Sequence, residues 1–124
     1  EKCDAVAIAS ENIFHAEIAI AAAKAGKHVI CEKPLVTNED DANAMRAAFD
    51  GSGLVFATAF PCRFSPAFQR LKQVVSSGEL GKPLAITATN RGRCPFDWFV
   101  KTELSGGGAM IDHVVHVADL LRAL

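Results

Sequence analysis

Asp4-Ala-Val-Ala-Ile-Ala-Ser10, an alanine-rich stretch from about Phe14 to Ala25, and His28-Val-Ile-Cys-Glu32 together decide how this chain folds. The first and last are short continuous apolar runs, the pattern of strands covered on both faces. Asn12 stands where a helix cap is wanted, Gly26 ends the helix, and Lys24, Lys27 and His28 gather at its negative end. Lys33-Pro34 stops the second strand. Strand, helix and strand in such close succession make a βαβ crossover, and that unit belongs to a parallel sheet.

Toward the C-terminus, Thr37 is expected to open a second helix, with Asp40 in capping-box spacing and an apolar stripe of Ala42, Met45, Ala48 and Phe49. Asp50-Gly-Ser-Gly53 reads as a loop and Leu54–Phe60 as a third buried strand. The texture then changes. Ser65-Pro66 is a cap followed by a first-turn proline, Phe68, Leu71, Val74 and Val75 form a buried helical face, and Gly78 closes that helix. Leu84–Asn90 alternates as a half-exposed strand would, and residues 91–108 read as a long loop ending in three glycines. A final helix is expected from about Ala109 onward, packing through Val114, Val117, Leu121 and Leu124. The predicted fold class is α/β. Residues 1–60 form the later half of a doubly wound parallel sheet, and residues 61–124 begin a second, α+β domain. Neither half reads as complete: the first lacks opening strands, and the second stops after one strand and two helices.

Apolar residues make up 50% of the chain, which suits a buried core and excludes a disordered segment. A formal charge of −1, with acids and bases interleaved, argues against a nucleic-acid surface or a polybasic membrane patch. Apolar stretches such as Ile18–Ala23 and Leu54–Pro61 are too short to cross a bilayer. Cys3, Cys31, Cys62 and Cys94 are widely spaced with no C-x-x-C pair, which points to reduced thiols in a cytoplasmic protein.

The residue pattern richest in chemistry is Asp112, His116 and Asp119, which at i, i+4, i+7 share one helical face. An aspartate one turn before a histidine orients the imidazole or shares a substrate hydroxyl with it, as general acid–base work requires. The plainer alternative is a solvated polar face. His113 is turned to one side of these residues around the helix and is not expected to join them. Gly106–Gly108 let backbone approach a ligand or take positive φ, or else form a simple connector. Lys33 follows a parallel strand's carboxyl end, where open α/β sheets bind ligands, and Glu32 beside it can accept from a ribose. His15 lies in a first helical turn near the same sheet edge. Arg63 lies just past the third strand, where a guanidinium reaches an anion. Trp98 either lines a pocket or packs.

The ordered set Ser10…His15, Ala25-Gly-Lys-His-Val29, Glu32-Lys-Pro-Leu35, Arg63-Phe-x-Pro66, Gly78-x-x-Gly81, Ser105-Gly-Gly-Gly-Ala109 and Asp112-x-x-x-His116-x-x-Asp119 resembles the Gfo/Idh/MocA oxidoreductases across essentially the whole chain. That resemblance implies a Rossmann-type dinucleotide-binding domain followed by a domain built on an open, mostly antiparallel sheet. It implies NAD or NADP as cofactor, a sugar, inositol or related polyol as substrate, and homo-oligomerisation of the full-length parent. It implies Lys33, Asp112 and His116 as catalytic residues, which with Trp98 also meet the substrate. Ser10, Asn12, His15, Glu32, Lys33 and Arg63 are implied on the cofactor side, with no metal. Two departures stand out. Glu11 occupies a position where the family often has proline, and the family's glycine-rich phosphate loop is expected upstream of residue 1.

Two other classes fit parts of the pattern. Asp112, His113 and His116 offer two histidines at i, i+3 for a metal-dependent hydrolase, without a further ligand cluster. A non-catalytic sugar or nucleotide sensor of the same family would not need Lys33, Asp112 and His116 together.

Overall fold

A computed structural model describes residues 2–124. Strands β1 (Ala5–Ile8), β2 (His28–Cys31) and β3 (Phe56–Thr58) form one parallel sheet in the order β1-β2-β3. Ala5 pairs with His28 and Ile8 with Cys31, while Val29 pairs with Phe56 and Cys31 with Thr58. Helices α1 (His15–Lys24) and α2 (Glu39–Phe49) supply the two crossovers. The core lies between the sheet and these helices: Ile8, Val29 and Cys31 meet Ala16, Ala19, Ala22 and Met45, with Leu35, Val36, Phe49 and Phe56 around them. The alanines keep α1 close to the strands. Phe49 and Phe56 close the far end edge to face, with ring centroids 4.8 Å apart.

Several local expectations shift. The sheet is covered on one face only among the described residues: Ile8, Val29 and Cys31 are buried, but Ala7 is exposed and Ile30 is 50% exposed. A continuous apolar run therefore marks a strand without showing how many faces are covered. Asn12 does not cap α1. It sits in a short 3-10 turn, Asn12–Phe14, is buried, and its Nδ2 donates to Ser105 O at 2.9 Å. The cap of α2 is Asn38 rather than Thr37. Asn38 Oδ1 accepts from Asp41 N at 2.8 Å and its Nδ2 donates to Asp41 Oδ2 at 2.7 Å, the capping logic displaced by one residue. The next helix, α3 (Pro66–Ser77), starts and stops where expected, with Ser65 Oγ accepting from Phe68 N and Gly78 at φ 72°. Only Phe68 of its apolar face is buried, and Leu71 is 46% exposed.

Leu84–Asn90 forms no strand. Leu84 is 94% and Ile86 57% exposed, for a strand exists only through a neighbour's ladder and none lies alongside among the described residues. The expected long loop after it is partly ordered. It contains a 3-10 turn, Asp97–Val100, and one helical turn, α4 (Thr102–Ser105). The last helix opens as a π turn, Met110–Val114, and continues as α5 (Val115–Ala123). Its packing departs in part from expectation: Asp119 is buried and Val117 and Leu124 are half-buried, whereas Val114 is 38% and Leu121 42% exposed. The polar stripe faces the β-sheet unit because its side chains have charged partners there.

Gly106 joins α4 to the π turn at φ 72°, and a Cβ there would overlap the Thr37 side chain. Gly108 has nothing within 4 Å of an added Cβ. A left-handed alanine costs about 1–2 kcal/mol and forced overpacking about 1–3 kcal/mol, so Gly106→Ala is expected to lose roughly 2–5 kcal/mol. Gly108→Ala is expected to be near neutral. Urea unfolding of the two variants side by side checks the contrast, and equal midpoints would remove the close approach as a constraint.

Candidate active site

The site assembles at the carboxyl ends of the strands. Ser10 follows β1, Glu32-Lys33-Pro34 follows β2, and Phe60 to Arg63 follow β3, with the π turn and α5 laid across them. Lys33 Nζ reaches Asp112 Oδ1 at 2.5 Å and donates to the Asp112 main-chain oxygen at 3.2 Å. Both side chains are largely shielded, at 17% and 14% exposure. A residue 79 positions away is thus gripped twice by one aspartate.

His116 lies in the same field. Its Nδ1 is buried and has no hydrogen-bond partner, and the Phe60 ring stands edge-on to the imidazole at 6.2 Å. Burial pushes the His116 pKa below its usual 6.5, and the Lys33 charge pushes the same way. Asp112 opposes them, His113 adds to the lowering, and Glu32 opposes it. The ring is therefore a neutral imidazole at neutral pH, able to accept a proton.

Arg63 turns to the far end of the same helical stripe. Its Nε donates to Asp119 Oδ2 at 2.6 Å and its Nη2 to Asp119 Oδ1 at 2.5 Å, a bidentate pair. The bond to Asp119 raises the guanidinium pKa further above its ordinary value. Arg63 keeps 43% exposure while Asp119 has 6%, so the carboxylate is the partner that depends on the pair. They border an open cleft of about 720 Å³, lined also by Thr58, Phe60, Val115 and Arg122. Lys33 and His116 do not line that cleft. Nor do they line a second cavity of about 370 Å³, where Asp112 stands with His113, Phe99, Cys94, Gly107 and Gly108.

His15 is fully enclosed. Its Nδ1 lies 2.8 Å from Pro34 O and its Nε2 3.1 Å from Ser10 O. It ties the turn after β1 to the turn that carries Lys33 and offers no free polar atom to a ligand, so direct cofactor contact does not suit it. Asn12 is likewise committed to Ser105. Ser10 Oγ donates to Glu11 O at 3.3 Å, and exposed Glu32 accepts from Lys33 N at 3.3 Å. Trp98 stacks on Phe99 with centroids 3.7 Å apart, and it is Phe99 that lines the smaller cavity. Cys31 is a core thiol that burial, with the nearby Glu32 charge, pushes up to about 11. All four cysteines are free. Among the described residues, no three His, Cys, Asp or Glu side chains gather as metal ligands, and no helix is long and apolar enough to cross a membrane.

A family model described as "Oxidoreductase family, NAD-binding Rossmann fold" matches residues 1–60, and one described as "GFO/IDH/MocA C-terminal domain" matches residues 68–124. The chain belongs to the Gfo/Idh/MocA oxidoreductase family. Among members of this family, levoglucosan dehydrogenase of Pseudarthrobacter phenanthrenivorans is 38% identical over 96% of the chain and 32% of its own length. Myo-inositol 2-dehydrogenase of Thermotoga maritima is 37% identical over 96% of the chain and 35% of its own length. A solved levoglucosan dehydrogenase in complex with NADH and levoglucosan superposes with a TM-score of 0.85 at 37% identity, covering 98% of this chain and 34% of that one. The chain spans about a third of the length of these relatives. The family is one of NAD-binding oxidoreductases on a Rossmann-type α/β fold, in which sugar and inositol dehydrogenases stand among the relatives.

Reading the sequence alone passes over two residues of the site. Ser105 is buried, accepts from Asn12 through its carbonyl, and donates from Oγ to Gly107 O at 2.9 Å, which holds the glycine turn. Its place directly before three glycines was the available signal. Phe60 walls His116 and had none beyond the end of an apolar run.

Two outcomes follow from these environments. His116 binds a proton less readily when folded, so between 6.5 and its lowered pKa the unfolded chain holds more protons. Stability is therefore lost as pH falls through 6.5 and levels off below the folded value. His116→Gln is expected to flatten that part of the stability–pH curve, and an unchanged slope would show that the ring titrates freely. Arg63→Ala strands the buried Asp119 carboxylate and is expected to lower the unfolding midpoint. Adding Asp119→Leu should recover part of that loss in denaturant unfolding, whereas additive losses would mean the pair is not coupled.

Proposed function

We propose that this chain carries the catalytic edge of an NAD(P)-dependent oxidoreductase acting on CH–OH groups, and that it works as part of a longer protein. The reaction is hydride transfer between a nicotinamide cofactor and a sugar, inositol or related polyol. The observation that carries this reading is the Lys33 ammonium fixed on Asp112, with its charge acting on the His116 ring, whose Nδ1 has no hydrogen-bond partner. These residues fit a nicotinamide and a carbinol oxygen: a cation and a neutral base stand together at the carboxyl ends of parallel strands, where open α/β sheets take ligands. When bound, the nicotinamide exchanges the hydride with the carbinol carbon.

The chain's own residues manage the proton and the oxygen. His116, uncharged at neutral pH, takes the hydroxyl proton in oxidation and returns it in reduction. Lys33 donates to the same oxygen and stabilises the negative charge that develops there. Asp112 holds Lys33 at that position. Ser10, Glu32 and the exposed part of Arg63 border the nicotinamide half of the cofactor, while His15 and Asn12 support those turns from behind. Trp98, through Phe99, backs the substrate side. The sequence has no G-x-G-x-x-G turn, so in this proposal the pyrophosphate and adenine are held outside these residues. A cytoplasmic homo-oligomer without nucleic-acid or membrane partners completes the reading.

Calorimetric titration with NADH and NADPH, of this chain and of one extended to the length of its relatives, is expected to show binding by the extended protein alone. In that protein Lys33→Met and His116→Ala should each lower turnover on its polyol by about 10²–10⁴-fold while leaving cofactor affinity near native. Near-native turnover in either variant, or an extended protein that binds neither dinucleotide, would overturn the assignment.

A further inference from the structure

Asp112 uses only one of its carboxylate oxygens on Lys33. The other, Oδ2, faces His113 Nε2 at 3.6 Å. Adjacent residues of a regular α-helix point about 100° apart and do not share a target. Here the two lie in the π turn Met110–Val114, where a wider turn narrows the angle between successive side chains. Two contacts from a distant segment hold the histidine in place. Asn90 Nδ2 donates to His113 O at 2.9 Å, and Gly92 lies so close beneath the imidazole that a Cβ would overlap the ring. The ring is shielded to 26% exposure and, with Asp112, lines the cavity of about 370 Å³. Nothing in that packing requires an imidazole, yet the ring nitrogen is aimed at the free oxygen of the residue that holds Lys33.

We propose that His113 is a positioning residue of the reaction, acting through Asp112. Its Nε2–H takes the Oδ2 side of the carboxylate and fixes the carboxylate plane, so that Oδ1 presents Lys33 to the substrate oxygen in one orientation. Catalytic hydrogen bonds are often long before substrate binds and tighten in the complex, which suits the 3.6 Å separation. Asn90 and Gly92 set the ring's height against Asp112. This inference rests on the oxidoreductase reading above.

The test uses the full-length, cofactor-binding protein, with turnover expressed per NADH-binding site so that loss of folded protein does not enter. His113→Leu is expected to lower kcat by up to about a hundredfold with KM for the polyol and Kd for NADH near native, as a misplaced catalytic group does. His113→Gln, which keeps an N–H at the Nε2 position, is expected to restore most of that loss. A native kcat in His113→Leu overturns the proposal. So does a His113→Gln variant as slow as His113→Leu, because the ring would then act by packing alone. Lys33→Met measured alongside separates the two levels: if it turns over normally, the oxidoreductase reading of the site fails, whereas an inactive Lys33→Met beside a normal His113→Leu sinks only this inference.

Discussion

The double grip of Asp112 on Lys33, carboxylate and main-chain oxygen together, is the interaction on which the arrangement of this chain depends. Lys33 belongs to the turn after β2 and Asp112 to a helix far along the chain, so the contact fixes how the two halves meet. Coulomb attraction between shielded groups is strong but unforgiving, since removing one partner leaves the other desolvated and unpaired. Geometry supplied by the neighbours keeps the pair intact. His15 ties the Lys33 turn to Ser10, Asn12 reaches across to Ser105, and Gly106 lets the backbone pass Thr37. Each of these lies behind the pair rather than in it.

The last helix follows from the same constraint. A helix usually buries its apolar stripe and leaves its charged stripe in water. Here Asp112 and Asp119 point into the structure because Lys33 and Arg63 wait there, and Val114 and Leu121 are left exposed. Buried charge is tolerable only when paired and hydrogen-bonded. Both aspartates meet that condition, one through a bifurcated contact to an ammonium and one through a bidentate contact to a guanidinium. His116 lies between them and has no partner on Nδ1, which marks it as the group whose hydrogen bond is left for something else.

The β-sheet unit was legible because its signals are local. Short apolar runs, the alanine-rich helix and Gly26 place β1, α1 and β2, and the Ser65-Pro66 cap and Gly78 bracket α3. Most departures from the sequence reading share a different cause, a partner distant in sequence. Asn12 carries a side chain that caps helices well, and nothing nearby shows that Ser105 O claims it instead. Thr37 gives way to Asn38 as cap, and its side chain instead packs where Gly106 passes. Leu84–Asn90 has the alternation of a strand, but alternation says which faces differ and not whether a neighbour is present to pair. At the site, the i, i+4, i+7 spacing put Asp112, His116 and Asp119 on one face without showing that the face is buried. Nor did it show that Asp119 answers Arg63, a pairing 56 residues apart.

The π turn explains why helical spacing separates His113 from Asp112 and yet the two side chains meet. Angular arguments from an ideal helix fail where the helix itself changes pitch. A π turn forfeits regular hydrogen-bond geometry and persists only when surrounding contacts over-determine it. Those contacts are visible: Lys33 draws on the Asp112 carbonyl, Asn90 draws on the His113 carbonyl, and Gly107 leaves no room for a side chain against Ile111. Two main-chain oxygens that a regular helix would keep for its own ladder are thus also engaged by side chains from elsewhere. The turn lets one residue supply both a carboxylate and a carbonyl to the same ammonium while its neighbour faces the remaining oxygen. In an ideal α-helix those three contacts would compete for direction, and Lys33 would be held by a side chain free to rotate instead of by backbone and side chain at once.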